Sequence, residues 1–294
     1  RVAQDIGMKI IADYAERFGV YKNMRPYLAN SLGAEETTLY KMVAAYAMFA
    51  NGGERVEPTL VDRIQDRFGK TVYRHDPRVC EDCLEDVLPQ GLGPEITSKR
   101  ERVMDAVTAY QLTSMLEGVV TRGTASRTVK LPVPTAGKTG TTNEAKDAWF
   151  VGFTSNIVAG CYIGYDIPAP LGRGSGGGST CGPVFNEFML SAIKKYGGGD
   201  FKVPDGGKFI NLHRLTGDRL DEKAVGDFVV AEYFREGEEP TFGDAVNGGF
   251  AMGSNIDLFS EEDEQLVHTT SSSGEIVTFG GAASLGTLTS GGLY

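Results

Sequence analysis

The sequence predicts an α/β fold of the α+β kind, an antiparallel sheet flanked by helices, and three observations carry that prediction. Four apolar stretches repeat at helical spacing and each runs out at a glycine, namely Gly19, Gly52, Gly123 and Gly197. Trp149, Val151 and Phe153 alternate with Phe150, Gly152 and Thr154, and Ile157 to Tyr165 resumes in β-favouring residues after Thr154-Ser155-Asn156. The order of helix, hairpin, helix, hairpin and helix puts paired strands between helices, as a layered domain requires.

Taken in order, Ile6, Ile10, Tyr14 and Phe18 recur every fourth residue, which predicts an amphipathic helix stopped by Gly19. A second helix starts at Thr37 or Thr38 and runs to Asn51-Gly52-Gly53; it is apolar nearly all round, so burial on most sides is expected. Leu60 to His75 reads as a hairpin turning near Phe68-Gly69-Lys70, and the polar stretch Asp76 to Arg102 as a loop. Thr108 to Val120 predicts a third helix with Leu112, Met115, Leu116 and Val119 on one face. A glycine-rich loop from Leu171 to Gly182 leads to Pro183, a favoured first helical residue, and to a helix through Phe185, Phe188, Met189 and Ile193.

The chain has 294 residues, 41% of them hydrophobic, enough for a sizeable core, and no stretch nears the roughly 18 apolar residues of a membrane span. Arg1 to Asp5 carry no signal-peptide pattern, and the chain reads as entered in mid-sequence. Its net charge of −10 lies in residues 201–294, with 6 Lys/Arg against 16 Asp/Glu, leaving 23 of each in residues 1–200 (29 − 6 and 39 − 16). That balance excludes the clustered positive face nucleic acid requires. Asp200 to about Phe234 keeps some apolar periodicity, and from Glu236 the chain is acidic and then Gly/Ser/Thr-rich; residues 199–294 are expected to be a largely disordered tail that could recruit a protein partner. Cys80 and Cys83 form a C-x-x-C whose intervening carboxylates oppose thiolate chemistry. With His75 they give three zinc ligands where four are needed, so surface thiols or a local disulfide are favoured, and no metal or cofactor is expected.

The chemistry concentrates in Thr135-Ala136-Gly137-Lys138-Thr139-Gly140-Thr141-Thr142-Asn143. A cation, hydroxyls and a bare glycine backbone within a few residues suit an anionic substrate. Gly137-Lys138-Thr139 is also the tail of a phosphate-binding loop, but Pro132 stands where that motif needs glycine, and the stretch leads into a strand instead of a helix.

The string from Lys138 to Thr154 closely resembles the K-T-G strand, turn and strand of penicillin-binding transpeptidases, above all the bifunctional class A proteins. Leu32-Gly33-Ala34-Glu35, the Ala45 to Gly53 run, Thr113 to Leu116 and Arg122-Gly123-Thr124-Ala125 are similar to the same family, in the same order. The resemblance covers residues 1–198 and implies a serine β-lactamase/transpeptidase-like domain, incomplete at its N-terminal side. It implies a peptidoglycan D,D-transpeptidase at the periplasmic face of the inner membrane, acting on D-Ala-D-Ala stem peptides and acylated by β-lactams. Lys138, Thr139 and Gly140 would form the catalytic element, and Thr139, Thr141 and Thr142 would bind the substrate carboxylate. The family's S-x-x-K nucleophile and S-x-N motifs are expected upstream of Arg1, which would leave this stretch inactive alone. A glycosyltransferase domain and membrane helix would lie upstream as well.

Ser191-Ala192-Ile193-Lys194 spells S-x-x-K, yet it follows K-T-G and sits at the end of a helix whose dipole opposes a developing anion. Gly172 to Gly176 resembles a nucleophile elbow but has Arg173 where glycine is needed. Trp149 reads as a core residue, and His75, His213 and His268 stand in no pairing. The rival readings are a non-catalytic partner-binding module and a D,D-carboxypeptidase or β-lactamase relative.

Overall fold

The computed structural model describes residues 1–75, 78–80, 96–97 and 100–241, with four short backbone stretches beyond, 246–247, 250–251, 267–270 and 276–279. The first apolar run is two helices, α1 (Val2–Ile6) and α2 (Met8–Arg17), because Gly7 adopts φ 91 and interrupts the hydrogen-bond ladder. Gly19 stops α2 in the left-handed region at φ 71, as expected. Phe18 is buried at its end, while Ile10 and Tyr14 stay exposed.

Helix α3 (Leu39–Ala50) begins where the Thr38 hydroxyl accepts the Lys41 amide at 3.3 Å, and Gly52 and Gly53 leave it at φ 64 and 88. It buries Ala44, Ala45 and Met48, whereas Tyr40 remains exposed, so burial is less complete than its apolar composition implies. Strands β1 (Arg63–Gln65) and β2 (Thr71–Arg74) form the expected hairpin, turned at Gly69 with φ 83. Within the stretch read as a loop, β3 (Val79–Cys80) pairs with β4 (Ile96–Thr97). Cys83 and the side chain of Cys80 lie outside the described residues.

Helix α4 (Ala106–Thr121) starts at Asp105, whose carboxylate accepts the Thr108 amide at 3.2 Å and pairs with Arg235 at 2.6 Å. Despite partial desolvation, those bonds hold the Asp105 carboxyl below the usual carboxylate range. Asp105→Ala should therefore destabilise the domain by about 1 kcal/mol, the usual worth of an N-cap. In the parent protein this contribution is present above the unfolded carboxyl's pKa and is lost as pH falls through the lowered folded value. Chemical denaturation at neutral and acid pH checks it: the gap between the two proteins should close at acid pH.

The central sheet has the order β5 (Ala136–Thr141), β6 (Asp147–Phe153), β7 (Val158–Gly164), all antiparallel. Period-two alternation gives it two buried faces. On one, Ala148 and Phe150 pack with Phe185 and Met189 of α5 (Gly182–Tyr196), the two phenyl rings 4.7 Å apart. On the other, Ala136 and Phe153 meet Leu116 of α4, and Tyr46 and Phe49 of α3 pack alongside. Each fully buried phenylalanine contributes about 1.5–3 kcal/mol relative to exposure, so the sheet is fixed between helical layers.

Past Gly199 the composition-based expectation of disorder does not extend to β8 (Gly207–His213) and β9 (Val229–Arg235), which pair with each other. Their alternation buries Ile210, Leu212, Tyr233 and Phe234, the residues behind the apolar periodicity of 200–234. The chain divides into two units, 1–208 with 233–236, and 209–232 with 237–294. Most of the acidic and Gly/Ser/Thr-rich portion lies outside the described residues.

Candidate functional site

Strand β5 is an edge of the central sheet, and its register decides what each residue of the lysine stretch faces. Lys138 stands opposite Val151, Thr139 opposite Phe150 and Gly140 opposite Trp149. Lys138 and Gly140 thus share the sheet face that α3 and α4 cover further along, while Thr139 and Thr141 point to the α5 side. The strand leaves the core as it runs: Ala136 and Gly137 are buried, Lys138 and Thr141 exposed. An anchored, rigid strand end therefore presents the cation and hydroxyls to solvent.

The Lys138 ammonium donates to the Thr139 carbonyl at 3.0 Å. Its side chain reaches solvent, yet partial desolvation of the ammonium pulls its pKa below the ordinary lysine value. The Thr139 hydroxyl meets the Thr124 hydroxyl at 2.8 Å, which brings the Arg122-Gly123-Thr124-Ala125 corner after α4 onto the strand. The Thr141 hydroxyl accepts the Gly177 amide at 2.9 Å, so its own proton stays available to a ligand. Thr142 plays a different local part: its hydroxyl accepts the Asp147 amide at 2.8 Å and closes the turn between β5 and β6. That turn holds Glu144 and Ala145 at φ 63 and 51, unusual for residues other than glycine.

The glycine-rich loop is where sequence reading fell short. Residues Gly177–Cys181 form a single π-helical turn seated against β5 and β6. A Cβ on Gly177 would run into the Trp149 carbonyl and lie 2.6 and 2.8 Å from Gly140 O and N; one on Gly178 would lie 2.7 Å from Thr124 O. These glycines permit backbone contact among three segments distant in sequence, and only the run of three glycines in the sequence hinted at it. Trp149 is half-buried beside Tyr162, ring centroids 4.8 Å apart, and lies on the Gly140 side instead of in the core as expected. The Tyr162 hydroxyl in turn donates to Asp147 at 2.9 Å.

Ser191 and Lys194 are not drawn into this cluster, whereas Ser175 adjoins it through Gly176, on which an added Cβ would lie 3.3 Å from the Thr141 hydroxyl. Ser191 and Lys194 lie on α5, which covers the Phe150 face of the sheet, away from the Lys138 face. Ser175 belongs to a turn in which its amide approaches the Gly172 carbonyl at 3.3 Å. His213 bonds locally to Thr216. Among the described residues no group of metal-ligating side chains is assembled.

A family model described as the penicillin binding protein transpeptidase domain matches residues 1–190. The chain belongs to the penicillin-binding protein transpeptidase family. Among curated relatives it is 43% identical to penicillin-binding protein 1A of Rickettsia bellii, over 74% of this chain and 28% of that protein. It is 41% identical to penicillin-binding protein 1A of Rickettsia typhi, over 80% of this chain and 30% of the relative. The chain thus spans under a third of these relatives. Among solved structures, penicillin-binding protein 1A from Haemophilus influenzae is 30% identical with a TM-score of 0.66, over 82% of this chain and 38% of that one. The transpeptidase match runs from α1 into the middle of α5, with the Lys138 strand and the glycine-rich turn inside it.

Proposed function

We propose that this chain supplies the K-T-G half of the active site of a peptidoglycan D,D-transpeptidase that works through an acyl-serine. The single observation that carries the reading is the edge strand β5, whose exposed end carries Lys138 on one face and the Thr139 and Thr141 hydroxyls on the other, bonded to Thr124 and to the Gly177 amide of the glycine-rich turn. In this reading the nucleophile is a serine upstream of Arg1. Its hydroxyl attacks the carbonyl of the penultimate D-Ala of a stem peptide, and the terminal D-Ala leaves. The amine of a second stem peptide then takes the acyl group, which forms the cross-link.

Each residue has a physical task in that sequence. The Lys138 cation lowers the energy of negative charge developing beside the nucleophile and assists proton transfer. The Thr139 and Thr141 hydroxyls donate to the terminal carboxylate of the stem peptide or of a β-lactam. Gly140 carries no side chain, so an extended ligand can approach the strand and pair with its free edge, with an amide near Thr141 serving as an oxyanion donor. Thr142 accepts the Asp147 amide and so holds the turn, while its own hydroxyl proton stays available to donate to the carboxylate. The longer protein, on the class A reading, is bifunctional, anchored in the inner membrane with this domain in the periplasm.

Fluorescent penicillin labelling with mass mapping tests the proposal on this chain and on the protein extended upstream. The expected result is label on the extended protein alone, at a serine before Arg1. Label on a serine of this chain, or none on either protein, would overturn it; the second outcome would favour a non-catalytic module. Stem-peptide products separate the relatives, since free D-alanine without cross-links would mark a carboxypeptidase and rapid β-lactam turnover a β-lactamase.

A further inference from the structure

Two cysteines far from the C-x-x-C meet inside the sheet layer. Cys161, in the middle of β7 opposite Phe150, is half-buried and packs against the cluster that contains Cys181. Cys181 closes the glycine-rich turn, is fully buried, and donates its thiol proton to the Ala148 carbonyl at 3.2 Å. The two cysteines thus share one apolar cluster, with their thiols close enough to perturb each other electrostatically, and nothing in the transpeptidase reading uses either.

We propose that Cys161 and Cys181 are a disulfide-forming pair, whose oxidation ties β7 to the turn that carries the Gly177 amide. The chemistry needs a disulfide oxidant, of the small-molecule or exchange-protein class. The half-buried Cys161 attacks one sulfur of the oxidant as thiolate, forming a mixed disulfide and releasing one oxidant thiol. Cys181 then attacks the Cys161 sulfur and expels the second thiol; both protons pass to the released thiolates, and the two electrons lost by the cysteines reduce the oxidant. Burial, and secondarily the Cys161 thiol, push the Cys181 thiol's pKa up, so this second step is the slow one and quickens with rising pH.

The cross-link closes a loop of roughly 20 residues, a length for which a disulfide stabilises measurably. It also removes the Cys181 donor from Ala148 while fixing the turn by a covalent bond. The consequence is local rigidity at the glycine-rich turn, beside the strand end that carries Thr141.

The test is to incubate the folded chain with oxidised glutathione, alkylate remaining thiols, and map non-reducing tryptic peptides. Trypsin places Cys161 in Asp147–Arg173 and Cys181 in Gly174–Lys194, so a linked pair appears as one species lighter than their sum by two hydrogens. We expect this species, absent after reduction and absent in Cys161→Ala, with a Tm roughly 5 °C or more above that of the reduced protein. Cysteines 161 and 181 recovered separately, each alkylated, glutathionylated or joined to Cys80 or Cys83, would overturn the pair. So would a linked species obtained only in urea. The outcome is independent of penicillin labelling, and each proposal can fail without the other.

Discussion

Lys138→Ala in the protein extended upstream should slow β-lactam acylation by roughly 10²–10⁴-fold, the usual loss when a charged group that assists proton transfer is removed. Stability should hardly change, and the pKa direction explains why. Desolvation lowers the folded-state pKa of Lys138 below its unfolded value. Between those two values the unfolded chain binds more protons, so this group opposes folding most below the folded pKa and less as pH rises through it. Removing the side chain therefore leaves Tm at neutral pH unchanged or slightly raised. The same shift means the cation is lost at a lower pH than on a free lysine, so acylation in the parent protein should decline early on the alkaline side. Stopped-flow acylation and thermal unfolding measured together check the prediction. A variant that acylates normally, or one that loses activity only in proportion to lost folding, would remove Lys138 from its assigned role.

Gly177→Ala should damage the site through packing instead of charge. The added methyl would run into the Trp149 carbonyl and stand 2.6 Å from the Gly140 carbonyl. Both are backbone atoms of paired strands, with no flexible end to swing away. Overpacking of this kind costs about 1–3 kcal/mol, or roughly 3–10 °C in Tm for a domain of this size. The displaced turn also withdraws its amide from Thr141, so penicillin labelling of the extended protein should fall by 10-fold or more, roughly the worth of one hydrogen bond. Gly199→Ala is the control: nothing lies within 4 Å of the added methyl, and Tm should move by less than about 0.5 kcal/mol equivalent. Equal Tm values for the two variants would show that the turn tolerates the methyl by shifting.

Much of the sheet was legible because alternation and glycine stops are local signals. Residues 147–165 read as two strands, and the structure pairs them as Asp147–Phe153 with Val158–Gly164. The start of α3 at Thr38 and the end of α5 at Gly197 follow from capping chemistry that a single residue carries. Gly7 was missed because one glycine inside a four-residue repeat does not cancel the period, yet its φ of 91 divides the helix. The β8 and β9 strands went unassigned because the apolar periodicity of residues 200–234 is weak beside the disorder-favouring composition of the longer segment that follows it. Trp149 was misplaced because alternation tells which residues share a face, not which face a helix covers.

The sequence by itself determined the fold class, the family, and the strand that carries Lys138, Thr139, Gly140 and Thr141, since each is written in contiguous residues or local periodicity. The tertiary structure alone decided that Thr124 and Gly177 bond to Thr139 and Thr141, and that Cys161 and Cys181 pack into one cluster. Those contacts join segments 15 to 36 residues apart, or lie across a sheet and its covering turn. No local rule encodes them, because they exist only once the glycine-rich backbone has closed on the edge of the sheet and fixed distances that side-chain identity leaves open.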